Sequence, residues 1–166
     1  MDRIFVSISC YKDKDLPNTI RSAYEKANNP DLLNFGVYFQ GASEDLNYFF
    51  ENLPPGKHTI KYIPAEETKG TGWVRNILTR DMFSEEDYWL QIDSHMRFDY
   101  GWDSKLIDLY KKQDKDFLMT GFPPHFGMKE DYEEYSKRNK NNKSIVCEFT
   151  EMYSFKETKG IIPKEE

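Results

Sequence analysis

Short apolar runs that alternate with helix-like segments are the feature that most constrains how this chain can fold. Residues 4–8, 33–40 and 58–63 are rich in β-branched and aromatic side chains and predict strands. A helix is predicted after the first of these runs, where apolar residues recur at helical spacing, namely Leu16, Ile20, Ala23, Tyr24 and Ala27. Residues 47–52 predict a shorter helix after the second run. Strands joined through helices run parallel with right-handed crossovers, so the alternation predicts an α/β fold with a mostly parallel central sheet flanked by helices.

The rest of the chain continues this pattern. A glycine-containing loop at residues 66–72 opens a predicted helix whose inner face is Val74, Ile77, Leu78 and Met82. Another helix is predicted from Gly101, with Asp103 as its N-cap. Residues 117–122 and 144–155 predict two further strands. With 166 residues, we expect one domain that spans residues 1–166.

The segment Tyr88 to Phe98 predicts a buried strand that ends in metal ligands. Ligands of open α/β sheets bind at the carboxyl ends of the strands, where Asp93 and His95 would lie. Side chains alternate along extended chain, so these two can face the same way while Ser94 faces away. A carboxylate and an imidazole together suit Mn²⁺ or Zn²⁺ better than Mg²⁺. The alternative is a turn aspartate beside a hydrogen-bonded surface histidine.

Two other segments predict contacts with an anionic ligand. The polar loop from Tyr11 to Asp15 follows the first strand and is therefore in a ligand position. Arg75 and Asn76 lie in the first turns of a helix that begins behind glycines, where a guanidinium can meet a phosphate and an amide can meet a ribose or base. The alternative is a solvated first turn with Thr71 as the cap. The loop matches neither the Walker nor the dinucleotide pattern, which disfavours nucleoside triphosphates and NAD as ligands.

Composition excludes several classes of function. The net charge is -6, and the longest basic stretch, residues 137–143, is short, so nucleic acid is not an expected partner. Cys10 and Cys147 show no metal or redox spacing and are predicted to be buried, reduced thiols. There is no signal-peptide pattern and no run of about 18 apolar residues, so we expect no membrane span and a cytoplasmic location.

An ordered set of motifs resembles the nucleotide-sugar glycosyltransferases of the GT-A fold. The closer resemblance is to glycosyltransferase family 60, the GlcNAc-transferases that act on a hydroxyproline of a ubiquitin-ligase adaptor protein. The matching positions are residues 4–8 with Tyr11 and Asp13, Thr19 with Ile20, residues 35–37 with Gln40, Gly70 with Val74 and Arg75, residues 90–98, and Trp102 with Asp103. The Asp-Ser-His triplet at residues 93–95 is also similar to that of the mucin-type polypeptide GalNAc-transferases.

This resemblance implies a function and a set of site residues. Asp93 and His95 would be the catalytic centre and would hold Mn²⁺, or Mg²⁺, on the diphosphate of a UDP-sugar, with UDP-GlcNAc the expected donor. The resemblance implies that the loop after the first strand holds the uridine and that the nucleotide lies near a set of six residues: Ser7, Tyr11, Asp13, Arg75, Asn76 and Ser94. It further implies transfer to a protein hydroxyl or glycan with retention of anomeric configuration.

The chain is shorter than the catalytic domains it resembles. We therefore expect a homo-oligomer or a further C-terminal segment to complete the acceptor site. One alternative is a catalytically inactive module that binds sugar nucleotides or another protein. A zinc hydrolase using Asp93, His95 and His125 is weaker, because no His-Glu-x-x-His or Cys/His ligand pair is present. His125 remains a candidate third metal ligand, although an ordinary loop histidine is the favoured interpretation.

Overall fold

The computed structural model describes residues 2–112, 117–122 and 148–154 and divides the chain into two compact units, residues 1–104 and 105–166. Ten main elements follow one another, namely β1 Ile4–Tyr11, α1 Leu16–Lys26, β2 Leu33–Gly41, α2 Glu44–Asn52, β3 His58–Pro64, α3 Thr71–Met82, β4 Tyr88–Ile92, α4 Trp102–Lys111, β5 Phe117–Phe122 and β6 Glu148–Ser154. Every predicted strand and helix is therefore present, with ends that shift by a few residues.

The first unit is built on a four-stranded sheet in the order β3-β2-β1-β4, with all neighbours parallel. In this register Ser7 of β1 lies between Gly36 of β2 and Gln91 of β4. The chain moves outward from β1 to β3 and then returns to the opposite side of β1 to form β4. The order of strands thus reverses between β1 and β4, which is the position where open α/β sheets bind ligands at their carboxyl edge.

Pairing between strands sets the length of β1 and the burial of β4. β1 continues past its predicted end at Ile8, because its pairing with β2 extends to Tyr11 opposite Gln40. The prediction that β4 is buried was wrong for most of the strand: only Ile92 is buried, and Trp89 is 38% exposed. The reason is that β4 is an edge strand of the described sheet, with β1 as its one paired neighbour.

Helices cover both faces of the sheet. On one face, α1 and α2 pack through aromatic pairs, with ring centroids 4.9 Å apart for Tyr24 and Phe35 and 4.4 Å apart for Phe39 and Phe49. Successive strand residues point to opposite faces, so Tyr38 lies on the other side. There a buried cluster joins the sheet to α3 and consists of Tyr38, Ile63, Val74, Ile77 and Leu78. The central strands are therefore buried on both sides, as expected for a parallel sheet.

The second unit contains a pair of antiparallel strands, β5 and β6, in which Phe117 lies opposite Ser154 and Phe122 opposite Glu148. His125, Cys147 and the basic stretch at residues 137–143 lie outside the described residues. Among the helices that the structure does describe, none combines the length and apolar character needed to cross a bilayer.

Candidate functional site

The loops that follow β1 and β4 meet at the carboxyl edge of the sheet, because the two strands are hydrogen-bonded neighbours that run in the same direction. The β1 loop carries Asp13, and the β4 loop carries residues 93–95. This edge is also the point where the strand order reverses. The topology therefore brings together two predicted ligand segments that are about 80 residues apart in sequence.

Asp13 is the centre of the contacts between these loops. Its Oδ2 accepts a hydrogen bond from Ser94 Oγ at 2.8 Å and lies 2.8 Å from His95 Nδ1. Its Oδ1 accepts the backbone N–H of Asp15 at 2.9 Å. Partial burial raises the pKa of the Asp13 carboxyl, but these hydrogen bonds to the ionised form lower it by more, so its pKa is below the usual value. Asp13 is therefore a carboxylate at neutral pH.

Asp93 has a different partner. Arg75 Nη2 lies 3.3 Å from Asp93 Oδ1, and the Asp93 side chain is 60% exposed. The Nε atom of Arg75 is buried and has no hydrogen-bond partner among the described residues. Arg75 lies near the start of α3, so this ion pair connects the N-terminal part of that helix to the end of β4. Two charged groups of opposite sign are thus exposed at the same edge.

The predicted alternation of side chains does not hold at residues 93–95. Ser94 was expected to face away from His95, yet both side chains contact Asp13. The reason is that β4 ends at Ile92 and the chain bends at the next residues, so the two-residue period of a strand no longer applies. Asp93 and His95 consequently have separate partners in this structure.

The donor atoms of Asp93 and His95 suit a divalent cation. Both side chains are mostly solvent-exposed, and Nδ1 of His95 is engaged by Asp13, which leaves Nε2 as the ring atom available to a metal. A carboxylate oxygen with an imidazole nitrogen fits Mn²⁺. Within residues 2–112 and the two described strands that follow, no cluster of three Asp, Glu, His or Cys side chains could hold a metal ion. Further ligands would come from the bound nucleotide, from water or from residues outside the described ranges, such as His125.

Helix α1 fixes the position of the β4 loop through Thr19. This side chain is fully buried, and its hydroxyl donates to the carbonyl of Ser94 at 2.7 Å while accepting the N–H of Met96 at 2.9 Å. One hydroxyl therefore holds the backbone on both sides of His95. Thr19 matches the family pattern in sequence without an evident role, and the structure gives it one.

Further contacts extend this attachment along the helix. Arg97 donates to both carboxylate oxygens of Asp15 at 2.8 Å, and Ser22 Oγ accepts the N–H of Phe98 at 3.1 Å. Trp102 Nε1 donates to the carbonyl of Ala23 at 2.9 Å. The segment from Ser94 to Trp102 is therefore held against α1 at every turn of the helix.

Asp103 completes the attachment in a way that corrects the prediction of an N-cap. α4 begins at Trp102, so Asp103 lies inside the first turn. Its carboxylate accepts the backbone N–H groups of Asn28 and Asn29, both at 2.8 Å. The carboxylate is nearly fully buried and stabilises the exit from α1 instead of the start of its own helix. The N-cap of α3 is likewise Gly70, with φ of 93°, and Thr71 is the first residue of the helix.

The remaining predicted residues differ in their access to a ligand. Ser7 is fully buried within β1, and its hydroxyl donates to Gln91 Oε1 at 3.0 Å. This placement is not compatible with direct contact between Ser7 and a nucleotide, because the side chain lies inside the sheet. Tyr11 is 54% exposed at the end of β1 and presents a ring to solvent. Asn76 is exposed on α3, and its side chain makes no hydrogen bond within the described residues.

Gln40 was matched to the family pattern without a role, and the structure shows that it connects three elements at this edge. Its Nε2 donates to Ser9 Oγ at 3.0 Å, and its Oε1 accepts from the hydroxyl of Thr68. Its carbonyl accepts the N–H of Lys12. These bonds tie the loop before α3 to the ends of β1 and β2, and α3 carries Arg75. An amide in a strand gives no signal of such a role in sequence.

The fold and the position of the site define a class of protein. A parallel α/β sheet with charged residues at the carboxyl edge of its switch point is the arrangement of the GT-A nucleotide-sugar glycosyltransferases. The family described as "Glycosyltransferase (GlcNAc)" matches residues 57–156, which is more than half of the chain. The protein belongs to this family. The matched range includes Arg75 and residues 93–95, whereas Tyr11 and Asp13 precede it.

Solved structures agree with this assignment at the level of fold. The chain is similar to S. aureus TarS 1-349, with 16% identity, a TM-score of 0.53, and coverage of 75% of this chain and 38% of that one. The same protein in complex with UDP-GlcNAc gives 16% identity, a TM-score of 0.54, and coverage of 75% and 36%. The chain thus spans little more than a third of those structures. No curated protein matches it by sequence.

Proposed function

We propose that this protein is a UDP-GlcNAc-dependent glycosyltransferase that binds its donor at the carboxyl edge between β1 and β4. The observation that carries this proposal is the meeting of Asp13, Asp93, His95 and Arg75 at the point where the strand order reverses. Membership of the GlcNAc glycosyltransferase family supports the sugar, and the similarity to a structure that contains UDP-GlcNAc supports the donor.

Under this proposal, four exposed side chains at this edge have roles in donor binding. Asp93 and His95 hold a divalent cation, Mn²⁺ or Mg²⁺. Arg75 donates to a phosphate oxygen, and the exposed ring of Tyr11 stacks on the uracil. When bound, the cation supplies stabilisation of the negative charge that develops on the departing diphosphate. The protein's own contribution is a rigid loop that presents these groups, since α1 holds residues 94–102 in place.

The ion pair between Arg75 and Asp93 matches the charges of the proposed ligand. A metal diphosphate presents a cation and an anion together, so Asp93 can exchange the guanidinium for the cation while Arg75 exchanges the carboxylate for a phosphate. Hydrogen bonds to charged groups contribute about 1.5 to 3 kcal/mol, which corresponds to roughly a tenfold to hundredfold change in affinity.

The test is calorimetry of UDP-GlcNAc binding with and without Mn²⁺. We expect Mn²⁺-dependent binding in the wild type and its loss in Asp93→Asn, because the amide carries no charge for the cation. Asp81→Asn is the matched control, since Asp81 also pairs with an arginine, Arg80 at 2.7 Å, but lies at the other end of α3. Equal affinities with and without Mn²⁺ in all three proteins would refute the metal assignment.

A second candidate function is a module that binds the sugar nucleotide or another protein without transferring the sugar. The two candidates differ in one measurable property, because a transferase slowly hydrolyses its donor when no acceptor is present. Release of UDP that depends on Asp93 supports the enzyme, whereas stable bound donor supports the module. The acceptor, the retention of configuration, a single domain over residues 1–166 and a cytoplasmic location stay predictions.

A further inference from the structure

Asp13 has a position that differs from the role given to it by family resemblance. The resemblance assigned Asp13 to the loop that holds the uridine. In the structure, both of its carboxylate oxygens are used inside the protein, Oδ1 by the N–H of Asp15 and Oδ2 by Ser94 and His95. Little acceptor capacity is left for a uridine, so the carboxylate has another task.

The contact between Asp13 and His95 determines which ring nitrogen carries the proton. Oδ1 of Asp13 accepts the N–H of Asp15 and Oδ2 accepts the hydroxyl of Ser94, as expected of an ionised carboxylate, which has no proton to give. The bond at 2.8 Å must therefore use a hydrogen on Nδ1 of His95. In the neutral ring this leaves the lone pair on Nε2, and Nε2 makes no hydrogen bond to any residue that the structure describes. A cation binds to such an unprotonated ring nitrogen.

We propose that Asp13 is a positioning residue that holds His95 in the Nδ1–H tautomer and aims Nε2 at the metal of the donor complex. This role rests on the proposed function, because it requires a cation at His95. Histidines that bind metals usually donate their second N–H to a carboxylate or carbonyl, and removal of that acceptor weakens metal binding about tenfold to a hundredfold.

Asp13 is itself held in place, as a positioning residue must be. Cys10 Sγ donates to the carbonyl of Asp13 at 3.4 Å from the buried end of β1. Between them, Lys12 adopts φ of 54° and donates its N–H to the carbonyl of Gln40. The β1 loop therefore has a fixed path, and the carboxylate connects that path to residues 94 and 95 on the neighbouring strand.

Asparagine at position 13 is the informative substitution. Its amide is similar in size to the carboxylate but can donate a hydrogen bond to Nδ1. The ring of His95 would then carry its proton on Nε2, where it blocks a metal. Ser94→Ala is the matched control, because it removes the other donor to Oδ2 and leaves the carboxylate in contact with His95.

The experiment has two readouts on the full chain. Nitrogen-15 NMR of the histidine rings without metal, at mildly alkaline pH and with His95 assigned by His95→Gln, reports the tautomer. Mn²⁺ binding in the presence of UDP, followed by electron paramagnetic resonance, reports affinity. We expect the Nδ1–H tautomer in the wild type and Ser94→Ala, and the Nε2–H tautomer in Asp13→Asn with Mn²⁺ affinity about tenfold to a hundredfold lower.

The outcomes separate this inference from the proposed function. An Nε2–H tautomer in the wild type would overturn the inference even if Asp13→Asn failed to fold. Wild-type Mn²⁺ binding that is unchanged in folded Asp13→Asn would overturn it while leaving the metal site intact. Weaker binding without a change of tautomer would overturn the assignment of the tautomer to Asp13. If the wild type binds no Mn²⁺ with UDP, the metal site of the proposed function fails, and the role of Asp13 fails with it.

Discussion

Replacing Thr19 with valine tests whether α1 holds the β4 loop in its functional position. Valine has nearly the same shape as threonine, so packing around this fully buried side chain is preserved. The hydroxyl is lost, and with it the bonds to the carbonyl of Ser94 and to the N–H of Met96. The variant therefore isolates two hydrogen bonds that connect residues about 75 positions apart in sequence.

The expected loss of stability follows from the environment of the two abandoned groups. A buried polar group left without a partner costs about 1 to 3 kcal/mol. The carbonyl of Ser94 is in a buried setting, whereas the N–H of Met96 is only part-buried and can recover some hydration. We therefore expect Thr19→Val to lower the free energy of unfolding by about 2 to 4 kcal/mol.

Urea unfolding followed by circular dichroism measures this change, and calorimetry of Mn²⁺-dependent UDP binding shows whether the site also loses order. Thr79→Val is the matched control, because the Thr79 hydroxyl is exposed and donates to the carbonyl of Arg75 within α3 at 3.0 Å. We expect that control to change stability by less than about 0.5 kcal/mol. Equal effects of the two substitutions would refute the argument that Thr19 holds the loop.

Two further predictions concern titratable groups near the site. Burial raises the pKa of the Asp15 carboxyl, but the hydrogen bonds from Arg97 and Asn18 and the positive charge of Arg97 together lower it by more, to below the ordinary 3.8. This stabilisation is complete above that value and is lost as the pH falls through the folded-state pKa, so Asp15→Asn should cost about 1.5 to 3 kcal/mol at neutral pH and less in acid. Unfolding curves across pH that show a constant difference would contradict this. Burial raises the pKa of the Cys10 thiol to about 12, so iodoacetamide should label Cys10 at least a hundredfold more slowly in the native protein than in urea, as measured by peptide mass mapping. Comparable rates would show that the thiol is accessible.

The elements of the fold could be predicted because their signals are local. Leu16 begins α1 where the apolar period of the helix begins, and the β-branched run from Ile4 predicts a strand. The alternation of these elements requires parallel pairing, and the apolar run before Asp93 predicts a strand with Asp93 and His95 at its carboxyl end. The structure places Asp13, Asp93, His95 and Arg75 near one edge of the sheet and Ser7 inside β1, and the binding roles of these residues stay predictions.

The partners of those residues depended on the tertiary structure. Sequence spacing put Asp93 and His95 on one face, yet the bend after Ile92 sends them to Arg75 and Asp13. A local pattern predicts the direction of a side chain only while the backbone repeats. The same limit explains Asp103, which has the spacing of an N-cap but binds the backbone after α1.

The sequence by itself determined the order of strands and helices along the chain. It also determined the edge of the sheet where polar residues collect. The tertiary structure alone decided that Thr19, Asp13 and Gln40 hold the loops around that edge. The physical reason is that the arrangement and register of the strands within the sheet bring residues about 28 to 82 positions apart within hydrogen-bond distance. A hydroxyl, carboxylate or amide has the same local sequence signal whether it meets water or a distant backbone, so its partner is set only when the strands pair.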